Sequence, residues 1–150
     1  MIGMLTKPEI EELLEDNIFG HLGCNDGHNS YVYSANYVYN GTHIICHSQN
    51  GFKNRVMRKN GRVCFQVDAV TDHSNWKSVL LHGNYEEVHE IAELKKLINA
   101  FYDRRLFIKR SKLLIAKDTH SQETGVEAAT RLAIIFKILI DESTGFFERS

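Results

Sequence analysis

The spacing of apolar positions along the chain changes once, near residue 18. Before it, Ile10, Leu13 and Leu14 form one stripe with Glu11, Glu12, Glu15 and Asp16 outside it, the spacing of an amphipathic helix. Thr6-Lys7-Pro8-Glu9 marks its start as a capping box: the Thr6 hydroxyl can accept from the Glu9 N–H while the Glu9 carboxylate reaches back. Leu5 and Ile10 occupy the hydrophobic-staple positions, and Pro8 falls in the first turn, where a missing N–H costs nothing. Asn17 ends the helix.

After residue 18 the period is two. Residues 18–24 read as a strand, Asn25-Asp26-Gly27-His28 as a turn, and residues 31–39 as a second strand. Asn40-Gly41 is a strong hairpin signal, so Thr42 to His47 pairs back as the third strand. A polar loop at 48–51 leads into a short helix from Phe52 to Lys59, stopped at Asn60-Gly61 as a left-handed cap. Arg62 to Val70 is the fourth strand, 71–75 a loop, and Lys77 to Val88 the fifth strand. Helical spacing returns from Glu90 to Leu106 through Ile91, Leu94, Ile98 and Phe101. Residues 109–125 carry no clear period, and Leu132 to Ile140 is a nearly continuous apolar strand.

Six strands with hairpin-length connections do not alternate as βαβ units. The pattern predicts a mainly β, α+β fold, and a small antiparallel barrel is the economical way to bury such strands and remove their edges. No internal repeat or boundary is visible, so residues 1–150 read as one domain.

Composition narrows the function classes. Of 150 residues 43% are hydrophobic, too many for a disordered chain, and no apolar run approaches the length of a membrane-spanning helix. The N-terminus shows no basic region followed by an apolar run, so no secretory signal is expected. A formal net charge of −1 argues against a dedicated nucleic-acid binder. Cys24, Cys46 and Cys64 have no zinc or redox spacing and lie in apolar runs, which predicts buried free thiols and a reducing cytoplasm. Pro8 is the single proline, where average usage of about 5% would give about seven. Eight histidines suggest a metal, but His43 and His47 lie about 13 Å apart on a strand, too far to share an ion, and no metal site is predicted.

The most informative stretch is 43–62. A strand ends at His47, a glycine-containing loop follows, and a helix begins near Phe52. Helix N-termini present N–H groups and partial positive charge that suit a phosphate; Ser48 adds a hydroxyl and Lys53 a full charge. Between residues 51 and 62 stand five basic side chains and no acid, which reads equally as a solvated basic helix. His47 is placed either as a hydrogen-bond donor to that anion or as a turn cap. The second strand puts Tyr31, Tyr33, Ala35, Tyr37 and Tyr39 on one face and Ser34 and Asn36 on the other; the tyrosines form a packing face or a platform for a planar ligand. Trp76, followed by Lys77-Ser78, sits at the mouth of the fifth strand as either a core residue or a stacking contact. No G-x-G, Walker loop or G-x-S-x-G occurs.

Taken in order, the segments resemble a known family. They are Thr6-x-x-Glu9-Ile10-x-x-Leu13-Leu14, Phe19-Gly20-x-Leu22, Tyr31 to Gly41, His47-Ser48-x-x-Gly51-x-Lys53, Asn60-x-x-Val63-Cys64-Phe65 and Trp76-x-Ser78-Val79-x-x-x-Gly83. Together they resemble the pyridoxamine 5'-phosphate oxidase-like flavoproteins, in particular the nitroimidazole-resistance branch. The resemblance implies a split β-barrel homodimer with FMN in clefts between the subunits, FAD being the alternative. It implies a phosphate held by His47, Ser48 and Lys53 with Phe52 beside them, an isoalloxazine along Tyr33, Ser34 and Asn36, and Trp76 and Ser78 near the cofactor from the partner subunit. It also gives His47 a catalytic part near the reactive face. Ser34 stands where proline is common, and Ile18-Phe19 where a more polar residue is typical. The substrate motifs of the true oxidases are missing, so vitamin B6 oxidation is not expected.

The implied function is a flavin-dependent reductase of small molecules such as nitroaromatics, with electrons from an external donor such as NAD(P)H. The alternative is a non-catalytic flavin or haem carrier on the same barrel.

Overall fold

The helical stripe and the period-two runs fold as their spacing predicts, with additions near both termini. The computed structural model describes residues 1–103 and 134–150. In chain order the elements are β1 (Ile2–Met4), α1 (Lys7–Asp16), β2 (Phe19–Asn25), β3 (Ser30–Asn36), β4 (Val38–Tyr39), β5 (His43–Ser48), α2 (Phe52–Lys59), β6 (Arg62–Asp72), β7 (Asn75–Glu87), α3 (Ile91–Asp103) and β8 (Ile134–Glu148).

Several expectations are corrected. Eight strands are described rather than six. The tyrosine-rich strand breaks at Tyr37, whose N–H donates to Ile18 O and whose hydroxyl donates to Leu14 O at 2.7 Å. The last strand continues to Glu148 instead of stopping at Ile140, and β1 pairs with its end. Residues 71–75 are not a loop, because β6 and β7 meet in a tight turn after Asp72. Asn60 is extended at φ −130° rather than left-handed; its side chain secures the helix end by donating to Asn25 O at 3.0 Å. Residues 104–106 of the third helix, the start of the last strand at 132–133 and the 109–125 segment lie outside the described residues.

The strands form one antiparallel sheet in the order β3-β2-β6-β7-β8-β5-β4, with β1 on β8. The two ends of that order are the halves of a single strand interrupted at Tyr37, so the sheet closes on itself as a barrel. Gly83 lies at the irregularity where β7 changes register against β8, and a Cβ there would collide with the Leu139 carbonyl.

Inward-facing Leu22, Phe65, Val67, Val79, Leu81 and Ile138 fill the barrel. The α1 stripe of Ile10, Leu13 and Leu14 packs on the same core. At about 1.5–3 kcal/mol for each fully buried large apolar side chain, these contacts dominate the fold. A second, smaller core lies on the other face of β5 and β8, where Ile45 and Ile135 meet Val88 and α3's Ile98 and Phe101. Alternation along β5 therefore decides which of its residues see which core.

Candidate functional site

The end of β5 and the start of α2 bring the predicted loop residues into one region. Ser48 closes β5 opposite Ile134 and is buried. Its Oγ donates to Asn54 Oδ1 at 3.3 Å, which ties the strand end to the first turns of α2. Gly51 is the N-cap of α2, extended at φ −162°, and no side chain caps the helix. Neither backbone nor space demands glycine here, since the nearest heavy atom to an added Cβ is Gln49 O at 3.8 Å. Among the described residues no side chain takes up the first N–H groups of α2 as a cap.

Tyrosines of β3 flank this opening. Tyr31 and Tyr33 stack with centroids 6.5 Å apart, Phe52 meets Tyr31 edge-on at 5.2 Å, and Lys53 Nζ lies 5.5 Å from the Tyr33 ring centroid. Of the five basic side chains between residues 51 and 62, Arg58 is paired with Glu87 at 2.5 Å and Arg62 with Asp141. Lys53 stands at the opposite end of α2 from the first of these. Its ammonium acts on the neighbouring Cys24 thiol, whose pKa is nonetheless raised, because burial outweighs that charge.

Other predicted residues fall elsewhere. His47 is buried, but alternation sends it with Ile45 to the α3 face, where its ring meets Phe101 edge-on at 4.7 Å. Ser34 is exposed on the outer face opposite His21, and Asn36 is half-buried opposite Phe19. Trp76 stands at the start of β7, as its second residue: it pairs with Glu148, and its indole N–H donates to Glu148 Oε2 at 3.0 Å. Ser78 accepts from Gln66 at 3.1 Å. At about 3.3 Å per residue, roughly 35 Å of strand separates Trp76 from Glu87, which lies at the candidate-site end of β7. One chain therefore brings Ser48, Phe52, Lys53 and Tyr33 together but leaves Trp76 and Ser78 apart from them.

Sequence reading missed the residues behind the loop. Asn54 is fully buried, and its Nδ2 donates to the Tyr85 hydroxyl at 3.2 Å. Tyr85 donates in turn to Glu87 Oε1 at 2.6 Å, the oxygen that Arg58 also engages. The available signal was Asn54 itself, which shares the buried face of a short basic helix with Met57, three residues on.

Known proteins share this architecture. The sequence model of the family described as pyridoxamine 5'-phosphate oxidase matches residues 6–135. An FAD-binding protein from Mesorhizobium loti is 27% identical, with a TM-score of 0.72 over 100% of this chain and 98% of that one. A protein from Bacteroides thetaiotaomicron assigned to 5-nitroimidazole antibiotic resistance has a TM-score of 0.69 at 20% identity, covering 98% of this chain and 87% of that one. An uncharacterized protein of Rhizobium meliloti is 25% identical over 87 residues, so the match spans 58% of this chain and 58% of that curated relative. From the matched span, the closed antiparallel sheet and the order of its elements, the chain belongs to the pyridoxamine 5'-phosphate oxidase family and has its split-barrel fold.

Proposed function

We propose that the chain binds a flavin at the β5–α2 opening and works as a flavin-dependent reductase of small molecules. One observation carries the reading: the uncapped α2 N-terminus stands beside the Lys53 ammonium and the buried Ser48, next to the Tyr31–Tyr33 pair. Open N–H groups, one cation and a hydroxyl suit the phosphate of a flavin nucleotide, and the tyrosines of β3 suit the start of its planar ring. The Mesorhizobium protein, described as FAD-binding, supports a flavin as the ligand. FMN is the form proposed here. The resistance assignment of the Bacteroides protein supports nitroaromatic compounds as substrates.

In this reading Ser48, Lys53 and the first N–H groups of α2 hold the phosphate, with Phe52 and Tyr33 at the ring side and Asn36 at the ring edge. His47 packs under α3 and steadies the strand end. A flavin supplies electron and hydride transfer when bound, and the chain's own part is to fix the phosphate and leave one ring face open to substrate. Trp76 and Ser78 reach such a site only from a second copy, so the working unit proposed is a homodimer. The electron donor is an external reductant such as NAD(P)H.

The test is a spectrum and a melting curve. Purified protein is expected to carry flavin absorbance, or to gain it with FMN. FMN at a hundredfold excess over Kd should stabilise it by about 2.7 kcal/mol. A colourless protein whose Tm ignores both FMN and FAD overturns the proposal. Flavin binding without NAD(P)H-dependent turnover of any nitroaromatic leaves a carrier rather than a reductase.

A further inference from the structure

Ser48 is the outer end of a hydrogen-bond chain that runs through Asn54 and Tyr85 to Glu87, and the direction of that chain follows from its inner end. An ionised carboxylate only accepts hydrogen bonds. Burial acts to raise the Glu87 pKa, but hydrogen bonds from Tyr85 and Arg58, with the charges of Arg58 and His89, outweigh it and hold the carboxyl below the usual glutamate range. The Tyr85 proton is therefore given to Glu87, and the phenol stays protonated because burial pushes its pKa far up. Its oxygen can then only receive, so the Asn54 amide turns its NH2 to Tyr85 and its carbonyl to Ser48. That carbonyl claims the single Ser48 proton. Each donor in the chain points inward, and Ser48 Oγ offers only lone pairs to whatever lies at the α2 N-terminus.

Resting on the flavin reading above, we infer that the site takes its phosphate as the monoanion, with Ser48 Oγ accepting from the P–OH, and so selects a phosphomonoester over a diphosphate. A phosphate dianion or the diphosphate of FAD has no proton to give. To donate to either, Ser48 must leave the fully buried Asn54 carbonyl without its partner, the costly kind of unmade hydrogen bond. Among the described residues, the charged and titratable groups around this point are His47 on β5, Lys53 and Arg58 on α2, Tyr85 and Glu87 on β7 with His89 just beyond, Tyr31 and Tyr33 on β3, and Cys24 on β2. Of these His47 and His89 carry imidazoles, the side-chain type that ordinarily titrates close enough to neutrality to imitate the effect, so the experiment includes both.

Calorimetric titration of the full chain at pH 7.5, in two buffers of different ionisation heat, counts the protons taken up on binding. Free FMN, with a second phosphate pKa of about 6, is nearly all dianion there, so the wild type should take up about one proton per FMN. Riboflavin should take up none, and FAD should bind more weakly than FMN and take up none. Tyr85→Phe keeps the ring on Phe136 but frees the Asn54 amide to turn, so uptake should fall towards zero. Ser48→Ala should do the same, and His47→Gln and His89→Gln should each leave it unchanged. FMN binding tighter than riboflavin with no uptake, uptake that survives both Tyr85→Phe and Ser48→Ala, or uptake lost in His47→Gln or in His89→Gln overturns the monoanion inference alone. Equal affinity for FMN and riboflavin overturns the phosphate site itself.

Discussion

The chain starts two of its helices in opposite ways. At α1, Thr6 is extended and exchanges hydrogen bonds with Glu9, Thr6 N to Oε1 at 3.1 Å and Glu9 N to Oγ1 at 3.4 Å. An acid thus sits in the first turn, and the N-terminus is closed by its own side chains. At α2 the N-cap backbone is also extended, but the residue is Gly51, no side chain caps it, the first turn has no acid, and Lys53 adds a cation. Both termini have backbone that can carry a cap. The difference is that one satisfies its donors from within, while at the other no side chain among the described residues does so, which suits an incoming anion.

The largest expected effect comes from removing the cation that distinguishes α2. Lys53→Ala should weaken FMN binding by about 10- to 100-fold, the equivalent of a charge-assisted hydrogen bond of about 1.5–3 kcal/mol. Lys59→Ala, at the far end of the helix, should change it by less than about twofold. Fluorescence titration of FMN measures both, and equal losses would remove the phosphate from this end of α2. A second substitution turns α2 into a copy of α1. Gly51→Asp has room for its side chain and an extended backbone to carry it. It should stabilise the protein by about 0.5–1 kcal/mol while weakening FMN by about tenfold. Opposite signs are the point of the experiment, and a loss of stability without a loss of affinity would show that α2 was never held open.

These two helix starts also mark how far the sequence could be read. The α1 box lies within four residues, so Thr6, Glu9 and the Leu5–Ile10 staple were legible, as was the hairpin at Asn40-Gly41, where Gly41 takes φ +98°. The α2 range was legible too, but not what supports it. Asn54, Tyr85 and Glu87 meet across 31 and more positions of sequence, and no local period announces such a contact. The extension of β8 was hidden for a different reason: Glu142 to Thr144 are exposed and polar, yet they pair with β7 through backbone bonds that no side-chain pattern records. β1 was invisible because its three residues find a partner only once that extension exists. The break at Tyr37 depends on Leu14 and Ile18, which the tyrosine ladder itself does not reveal.

Smaller effects test the closed helix start. Thr6→Ala should destabilise the protein by about 1 kcal/mol and lower Tm by about 3 °C, with no change in FMN affinity. A coupled loss of affinity would mean that the two termini are not independent. The finest distinction is in acid. Glu9 is held below its ordinary pKa of 4.5, first by the Thr6 N–H, then by the Thr6 hydroxyl, and further by Arg149 and Lys77. A carboxyl with a depressed folded pKa contributes stability that is fully present above its unfolded value and is lost as pH falls through the folded one. Urea midpoints of the wild type and Glu9→Gln should therefore differ at neutral pH and converge as the pH drops below 4.5. Glu87 titrates in the same direction but is present in both proteins, so the difference between them isolates the α1 box. A gap that stays constant through acid would show that the Glu9 charge contributes nothing to closing that end. α1 and α2 would then differ only in whether a side chain covers their first N–H groups, and not in the charge placed there.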